Sequence, residues 1–495
     1  MRSPFLLAQA LALSSSASAF YIWKPCIEDG SCVDKTKIDI ARQRVTSRNK
    51  GLTLELVQRA RPASSPLSRR LEAIRAADLE KRNTNSYDIM TAETPSYKHS
   101  VGIDQDGNDL SYFISVSIGS NKTQMYMLVD TGAGSTWIMG DTCSTDACKM
   151  HSSFSPSEST TMTELDKTFS IAYGSGSVSG RNVEDSLTVG DISVTMNFGL
   201  ANYTSSDFES FPFDGILGLS LNTGSTDSFT HKLNASSDIT EKVFSVFLAR
   251  ASSGVNNGEL TLGGINPSRY TGAITYTDLE SASSGDWSIP MDSVSIGGKD
   301  VGISSRTGYI DTGTSYIFGP PEDVKLMHSH IAGANTTDGS RWTVPCDTSE
   351  DLALSFGGKA WTLQKSDWIS TARDGTCYSY VMGVEVVSNG WLLGDSFIKN
   401  VYTVFDMAER RIGFAAAKHD SSSTASASGS TTIGGTAAQE TGGIGVISSN
   451  SASATAEAAH TTSPTSSSKS SAATSGLPIS VAAVASSLLI SLMSL

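Results

Sequence analysis

Short runs of apolar and alternating residues punctuate the chain from Ser111 onward, separated by Gly, Asn, Asp and Ser. Tyr112 to Ile118, Met125 to Val129, Phe169 to Tyr173, Ser193 to Phe198, Val243 to Ala249 and Gly258 to Leu262 are the clearest. Each has strand length, and sustained 3.6-residue periodicity is scarce, so the pattern predicts an all-β body with a few short helices. The repeat is internal as well as local. Met125 to Val129 runs into Asp130-Thr131-Gly132, and 88 positions after Asp130 stands the Gly of Ile216-Leu217-Gly218. Tyr309-Ile310 runs into Asp311-Thr312-Gly313, and 83 positions after Asp311 stands the Gly of Leu392-Leu393-Gly394. Two copies offset by 181 positions predict two similar lobes, of ordinary domain size, with a cleft between them.

In each copy an apolar strand delivers an aspartate to its tip. The glycine after it supplies a turn geometry that a side chain would hinder and lets backbone approach closely. If the lobes face each other the two carboxyls meet, and two negative charges at one point share a proton. Such a pair can deprotonate a water while protonating a carbonyl, which is acid-base hydrolysis without a covalent intermediate. One Asp-Thr-Gly alone reads as a plain turn; two, each with its apolar-Gly companion, do not.

Over residues 108 to 417 the chain resembles the pepsin-like aspartic endopeptidases, especially fungal GPI-anchored, yapsin-like members. The resemblance is carried by DTGAGSTW at Asp130 to Trp137, FDGILGLS at Phe213 to Ser220, DTGTSY at Asp311 to Tyr316, and WLLGDSFIKNVYTVFD at Trp391 to Asp406, followed by Arg411 to Ala415. It implies a bilobed fold of two β-barrel-like lobes, Asp130 and Asp311 as the catalytic pair, and Thr131 and Thr312 as cross-braces between the two loops. Gly132, Gly313 and Thr314 complete the support of the pair. Ile171 to Gly180 looks like the family's flap, with Tyr173 closing over substrate beside Gly174 and Ser175; otherwise Tyr173 is a strand residue capping the core. Trp137 either packs beside that tyrosine or is core. The implied substrates are peptides or proteins, with no cofactor and no metal.

Two positions depart from the family pattern. Where the first motif usually has a Ser that donates to the catalytic carboxylate, this chain has Ala133, which predicts a raised carboxylate pKa and a less acidic optimum. Thr314 keeps a hydroxyl in the second motif. Some fungal relatives accept Lys before the scissile bond through an Asp two residues after the flap tyrosine, and here that position is Ser175. Cleavage after basic residues and an apolar preference on both sides of the bond are therefore equal expectations.

Charge and composition place the body in context. The 495 residues carry 36 Lys and Arg against 50 Asp and Glu, net -14, with 39% hydrophobic and 17% charged positions. That acidic balance disfavours a nucleic-acid partner. Residues 1–19 read as a secretory signal, with Arg2, an apolar core and Ser-Ala-Ser-Ala ending at Ala19. Residues 20–82 carry net +6 and end in Lys81-Arg82, whereas residues 83–420 carry net -20. A basic leader before an acidic body reads as a removable pro-segment that inhibits its own enzyme and loosens in acid, with Arg69-Arg70 a second cut site. The body divides into lobes at 83–270 and 271–420 and is expected to be monomeric.

Residues 421–476 hold 27 Ser or Thr and form a stalk that cannot bury a core. Leu477 to Leu495 is apolar and uncharged. Small residues, a polar spacer and an apolar tail make a GPI attachment signal centred on Ser466, Ser467 and Ser468, which predicts a cell-surface protein on the plasma membrane or cell wall. The alternative is a retained single-pass helix, although no Lys or Arg follows it.

Six cysteines after a signal peptide predict disulfides, and their spacing allows local pairs among Cys26 and Cys32, Cys143 and Cys148, and Cys346 and Cys377. Sequons stand at Asn121, Asn202, Asn234 and Asn335. His328 and His330 fit a solvated loop better than a metal site. Neither a Ser-His-Asp nor a Cys-His nucleophile and no dinucleotide fingerprint is defensible. A non-catalytic wall or adhesion protein that kept the cleft is the competing function.

Overall fold

A computed structural model describes residues 87–419, apart from 281–284 and 371–374. The signal, the pro-segment with Cys26 and Cys32, the stalk, and the tail with Ser466, Ser467 and Ser468 lie outside the described residues.

The expected all-β body is what forms. The first half builds an eight-stranded sheet, in spatial order Asp104–Gln105, Tyr112–Ile118, Thr123–Asp130, Gly215–Gly218, Trp137–Met139, Ile192–Thr204, Gly176–Val189 and Thr163–Tyr173. Tyr112–Ile118 alternates buried and half-buried positions at its far end, the signature of a strand with one face on the core. Thr123–Asp130 is buried from Met125 to its tip, so its apolar run carries the aspartate inward and not to the surface. The second half builds a five-stranded sheet, Ser288–Met291, Arg306–Ile310, Gly390–Leu393, Ile317–Gly319 and Val381–Gly383, beside a four-stranded one. Helices among the described residues are short, the longest being Pro321–His328.

The internal repeat is a repeat of topology. Thr123–Asp130 runs parallel to Gly215–Gly218 with Asp130 opposite Gly218, and Trp137–Met139 returns antiparallel to that same strand. Arg306–Ile310 runs parallel to Gly390–Leu393 with Ile310 opposite Leu393, and Ile317–Gly319 returns antiparallel to it. Each apolar-apolar-Gly companion is thus the strand that flanks an aspartate-bearing strand in the sheet. This is the bilobed pepsin-like architecture.

A six-stranded sheet joins the halves. It orders Ser100–Gly102, Glu259–Leu262, Val243–Phe247, Val401–Asp406, Arg411–Ala417 and Tyr270–Asp278. At its centre Phe244 pairs with Phe405 in register, and their rings stack at 4.7 Å. Two disulfides pin loops locally: Cys143–Cys148 and Cys346–Cys377, the latter beside the short pairing of Thr343–Val344 with Cys377–Tyr378.

Candidate active site

Both aspartates are brought together at the tips of their strands. Thr131 and Thr312 make a reciprocal brace. The Thr131 amide donates to Thr312 Oγ1 at 3.1 Å and the Thr312 amide to Thr131 Oγ1 at 3.0 Å. Their hydroxyls donate onward across the lobes, Thr131 to the Ile310 carbonyl at 2.8 Å and Thr312 to the Val129 carbonyl at 2.6 Å. Four buried hydrogen bonds therefore fix the spacing of the loops, and each buried partner would cost about 1–3 kcal/mol if left unpaired.

The glycines are required by proximity. A Cβ added to Gly132 would stand 2.8 Å from the Asp311 carboxyl, and one added to Gly313 would stand 2.4 Å from Asp130 Cγ. Neither glycine has positive φ, so close approach alone, and not an unusual turn conformation, excludes a side chain.

The two carboxyls differ in what holds them. Asp130 Oδ1 accepts from the Gly132 and Ala133 amides at 2.9 and 2.8 Å, while its buried Oδ2 receives nothing from a protein donor outside the pair. Asp311 Oδ1 accepts from the Gly313 amide at 2.9 Å and the Gly132 amide at 3.1 Å, and its Oδ2 accepts from Thr314 Oγ1 at 2.7 Å. The Gly132 amide is thus shared between the two carboxyls. Burial, then the charge of Asp311, holds Asp130 well above the usual carboxylate range, opposed only by the Ala133 and Gly132 amides. Burial also raises Asp311, but the Thr314 hydroxyl, the Gly313 amide, Asp130 and the Gly132 amide pull it back, to about 6. The shared proton therefore belongs on Asp130 and the charge on Asp311.

The flap is a tight hairpin. Tyr173 pairs directly with Gly176, leaving Gly174 and Ser175 as the turn. Tyr173 is buried, and its hydroxyl accepts from Trp137 Nε1 at 2.8 Å, so Trp137 is both core and partner of the flap tyrosine. Burial, then the nearby Asp130 charge, pushes the Tyr173 phenol above its usual range.

The family comparison decides the class. The eukaryotic aspartyl protease family matches residues 111–417, more than half of the chain. The chain belongs to that family. It is a peptidase. It is similar to the probable aspartic-type endopeptidase CTSD of Trichophyton verrucosum (strain HKI 0517), 38% identical over 351 residues that cover 70% of this chain and 69% of the relative. It is likewise similar to the aspartic-type endopeptidase ctsD of Aspergillus fumigatus, 37% identical over 346 residues, 68% of this chain and 73% of the relative. Pepsin A of Sus scrofa is 33% identical over 320 residues, 62% of this chain and 81% of the relative.

Other sequence-marked residues of the protease lie apart from the pair. Asn121, Asn202, Asn234 and Asn335 are all exposed, as glycan acceptors must be. His328 departs from the solvated-loop expectation. It ends the helix Pro321–His328, only 1% exposed, with its ring stacked on Trp342 at 4.6 Å and Nδ1 bonded to the Val324 carbonyl at 2.8 Å. Val324, Met327 and His328 share one helical face, which turns the histidine inward, and burial lowers its pKa to about 4. His330 is exposed.

Two acids escaped the reading of the motifs. Asp214, inside Phe213 to Ser220, is wholly buried and accepts from the Tyr126 and Ser152 amides at 2.8 and 2.9 Å, pinning the strand that carries Asp130. Asp395, inside Trp391 to Asp406, is buried behind Asp311, with its amide bonded to the Thr314 carbonyl at 2.7 Å, and burial holds its carboxyl well above the usual range. A charged residue type within an otherwise apolar run was the available signal for both.

Proposed function

We propose that the protease cuts peptide bonds with Asp130 and Asp311 acting as one acid-base pair. Asp311, ionised, takes a proton from the attacking water as its oxygen bonds to the scissile carbonyl carbon. Asp130 gives its proton to the carbonyl oxygen. Collapse of the resulting gem-diol then breaks the C–N bond, with a proton delivered to the leaving amine and no acyl-enzyme formed. The Thr131–Thr312 brace keeps the pair rigid, and Tyr173 covers it from the flap side and excludes water. The single observation that supports this reading most strongly is that one amide, that of Gly132, donates to both carboxyls, at 2.9 Å to Asp130 Oδ1 and 3.1 Å to Asp311 Oδ1. A non-catalytic binding cleft is not favoured, because nothing but chemistry calls for two acids held against one another at a cost in stability.

Hydrolysis of a peptide library from pH 3 to 7 by the mature body tests the assignment. Asp130→Asn and Asp311→Asn should each lower kcat by about a thousandfold or more; activity surviving in either removes that aspartate from the mechanism. Asp130→Asn has a second readout. A buried carboxyl with a raised pKa favours the fold below its unfolded pKa and loses that contribution as pH rises, so the Asn variant should gain more thermal stability over wild type at pH 7 than at pH 4.

The same reading extends to the flanks. The protease would enter the secretory pathway by residues 1–19, be held inactive by the basic segment 20–82 against the acidic body, and be released by cleavage after Arg82 in mild acid. It would stand on the cell surface as a glycosylated monomer on the Ser/Thr stalk, lipid-anchored near Ser466 to Ser468, in the manner of the yapsin-like type. Release from cells by a phosphatidylinositol-specific phospholipase tests the anchor, and a retained helix would resist it.

A further inference from the structure

Behind the catalytic pair one side chain ties the two halves together a second time. Trp287 is the residue before the strand Ser288–Met291 of the second lobe, and it is buried. Its indole Nε1 donates to the Leu219 carbonyl of the first lobe at 2.8 Å. Leu219 is in turn bonded beside the first aspartate: its amide donates to the Asp130 backbone carbonyl at 2.8 Å. The Trp287 carbonyl serves the other half and accepts from the amide of Ile310, the residue before Asp311, at 2.9 Å. Since the Ile310 carbonyl accepts from Thr131, the residue after Asp130, the bonds close a ring through Asp130, Leu219, Trp287, Ile310 and Thr131. Neighbours hold the tryptophan in place. The Gly285 carbonyl accepts from Ser220 Oγ at 3.1 Å and Asp286 Oδ1 from Asn222 Nδ2 at 2.7 Å, both across the lobes. The indole ring packs edge-on with Phe244 and Phe405 of the joining sheet, at 5.7 and 5.0 Å.

We propose that Trp287 is a positioning residue of the catalytic pair, its indole N–H and its backbone carbonyl tying the strand end that carries Asp130 to the strand end that carries Asp311. This deepens the reading of the two aspartates as the catalytic pair and rests on it. Buried, and linked to the aspartates only through Leu219 on one side and Ile310 on the other, Trp287 acts through the strands and not on substrate. The threonine brace joins the loops at one place, and bonds gathered at one place leave rotation about it open. A second tether on Leu219 and Ile310 opposes that rotation, and an error of about 1 Å between catalytic groups costs about a hundredfold in rate. The Leu219 carbonyl also takes a second hydrogen bond, from Thr230 Oγ1 at 2.7 Å, and Thr230 lies in the helix Phe229–Ala235 of the same lobe. One carbonyl therefore has two side-chain donors, of which the indole alone crosses between the halves.

Replacing Trp287 by 3-benzothienylalanine, which puts sulfur where the N–H was and keeps the shape of the ring, tests the inference in the mature protease beside Thr230→Val. The sulfur variant should lose about tenfold in kcat with KM within about twofold, because the groups that bind peptide are untouched. The falling limb of its pH profile should also move to lower pH, since carboxyls that drift apart raise each other less. Trp287→Phe, which keeps a ring between Phe244 and Phe405, should reproduce both changes. Thr230→Val takes a bond from the same carbonyl within one lobe, and should keep kcat within about twofold and both limbs in place. Wild-type kcat and pH profile in the sulfur variant, or an equal loss of kcat in Thr230→Val, overturns the inference and leaves the catalytic pair standing. Wild type that cuts no peptide at any pH overturns the peptidase reading and this inference together.

Discussion

The Asp130 loop and the Asp311 loop start from the same local design. In each, a strand leads into a buried aspartate, the threonine after it braces the opposite loop, and a glycine lies against the opposite carboxyl. Three residues after the aspartate they part. Thr314 places a hydroxyl 2.7 Å from Asp311 Oδ2, whereas Ala133 offers only its amide, and that goes to Oδ1 of Asp130. One oxygen atom of difference leaves Asp130 with two protein donors and gives Asp311 three, one amide being counted in both sets. The pair is a symmetric frame carrying an asymmetric charge. On the proposed mechanism the residue at the third position, and not the geometry of the loop, would decide which carboxyl is the acid and which the base.

The harshest way to break the comparison is to attack the frame that the loops share. Gly313→Ala puts a methyl into the Asp130 carboxyl, at 2.4 Å, and Gly132→Ala puts one against Asp311, at 2.8 Å. Both must push the carboxyls apart, so kcat should fall by about a thousandfold in each, with the Gly313 variant the worse. Thermal midpoints should change far less than activity, because the opposing group is a side-chain end and not a strand. Single-turnover rates at saturating peptide would check this; a Gly313→Ala enzyme within about tenfold of wild type would mean that the carboxyls do not need their close contact.

How much of this was legible beforehand follows from which interactions are local. The strands Tyr112–Ile118 and Thr123–Asp130 could be read because apolar runs and alternation lie in contiguous residues, and the paired loops could be read because the repeat doubles a weak signal. The asymmetry at Ala133 and Thr314 was also visible, being a difference between two aligned copies. What could not be read was the contacts between residues far apart in the chain. Lys399, buried, bonds Asp109 at 3.2 Å across 290 positions and sits 3.4 Å from Asp367, which Arg250 clasps at 2.7 Å. Nothing near any of these residues in sequence announces the others. His328 failed for the opposite reason: its neighbours Ser329 and His330 look like a loop, and only the helical face set by Val324 and Met327 turns it inward.

A milder way to test the comparison removes the oxygen that distinguishes the loops. Thr314→Ala leaves Asp311 Oδ2 without its hydroxyl and makes the second loop resemble the first. A hydrogen bond to an ionised group contributes about 1.5–3 kcal/mol, so kcat/KM should fall by roughly ten- to a hundredfold. The rising limb of the pH profile should also move upward, because Asp311 must be ionised to act and its anion has lost a donor. Thr314→Ser should return both quantities to near wild type, and Thr314→Val, which keeps the shape without the hydroxyl, should not. Loss of activity with an unmoved rising limb would assign the threonine to packing and not to charge.

The finest test adds the missing oxygen to the other side. Ala133→Ser puts a hydroxyl at the position equivalent to Thr314, in reach of Asp130 Oδ2 if the loop symmetry holds, and that oxygen takes no bond from a protein donor outside the pair in the parent chain. The new donor favours the anion of Asp130 and opposes the rise that burial and the Asp311 charge impose. Because Asp130 must be protonated to act as the acid, a lowered pKa brings the falling limb of kcat/KM down to lower pH and narrows the profile, with the rising limb set by Asp311 nearly in place. The rate at the most acidic end should change by no more than a few fold, since Asp130 is protonated there in either enzyme. A falling limb that stays where it was would mean that Ala133 does not set the acid strength of Asp130, and that the tilt of charge toward Asp311 comes from Thr314 alone.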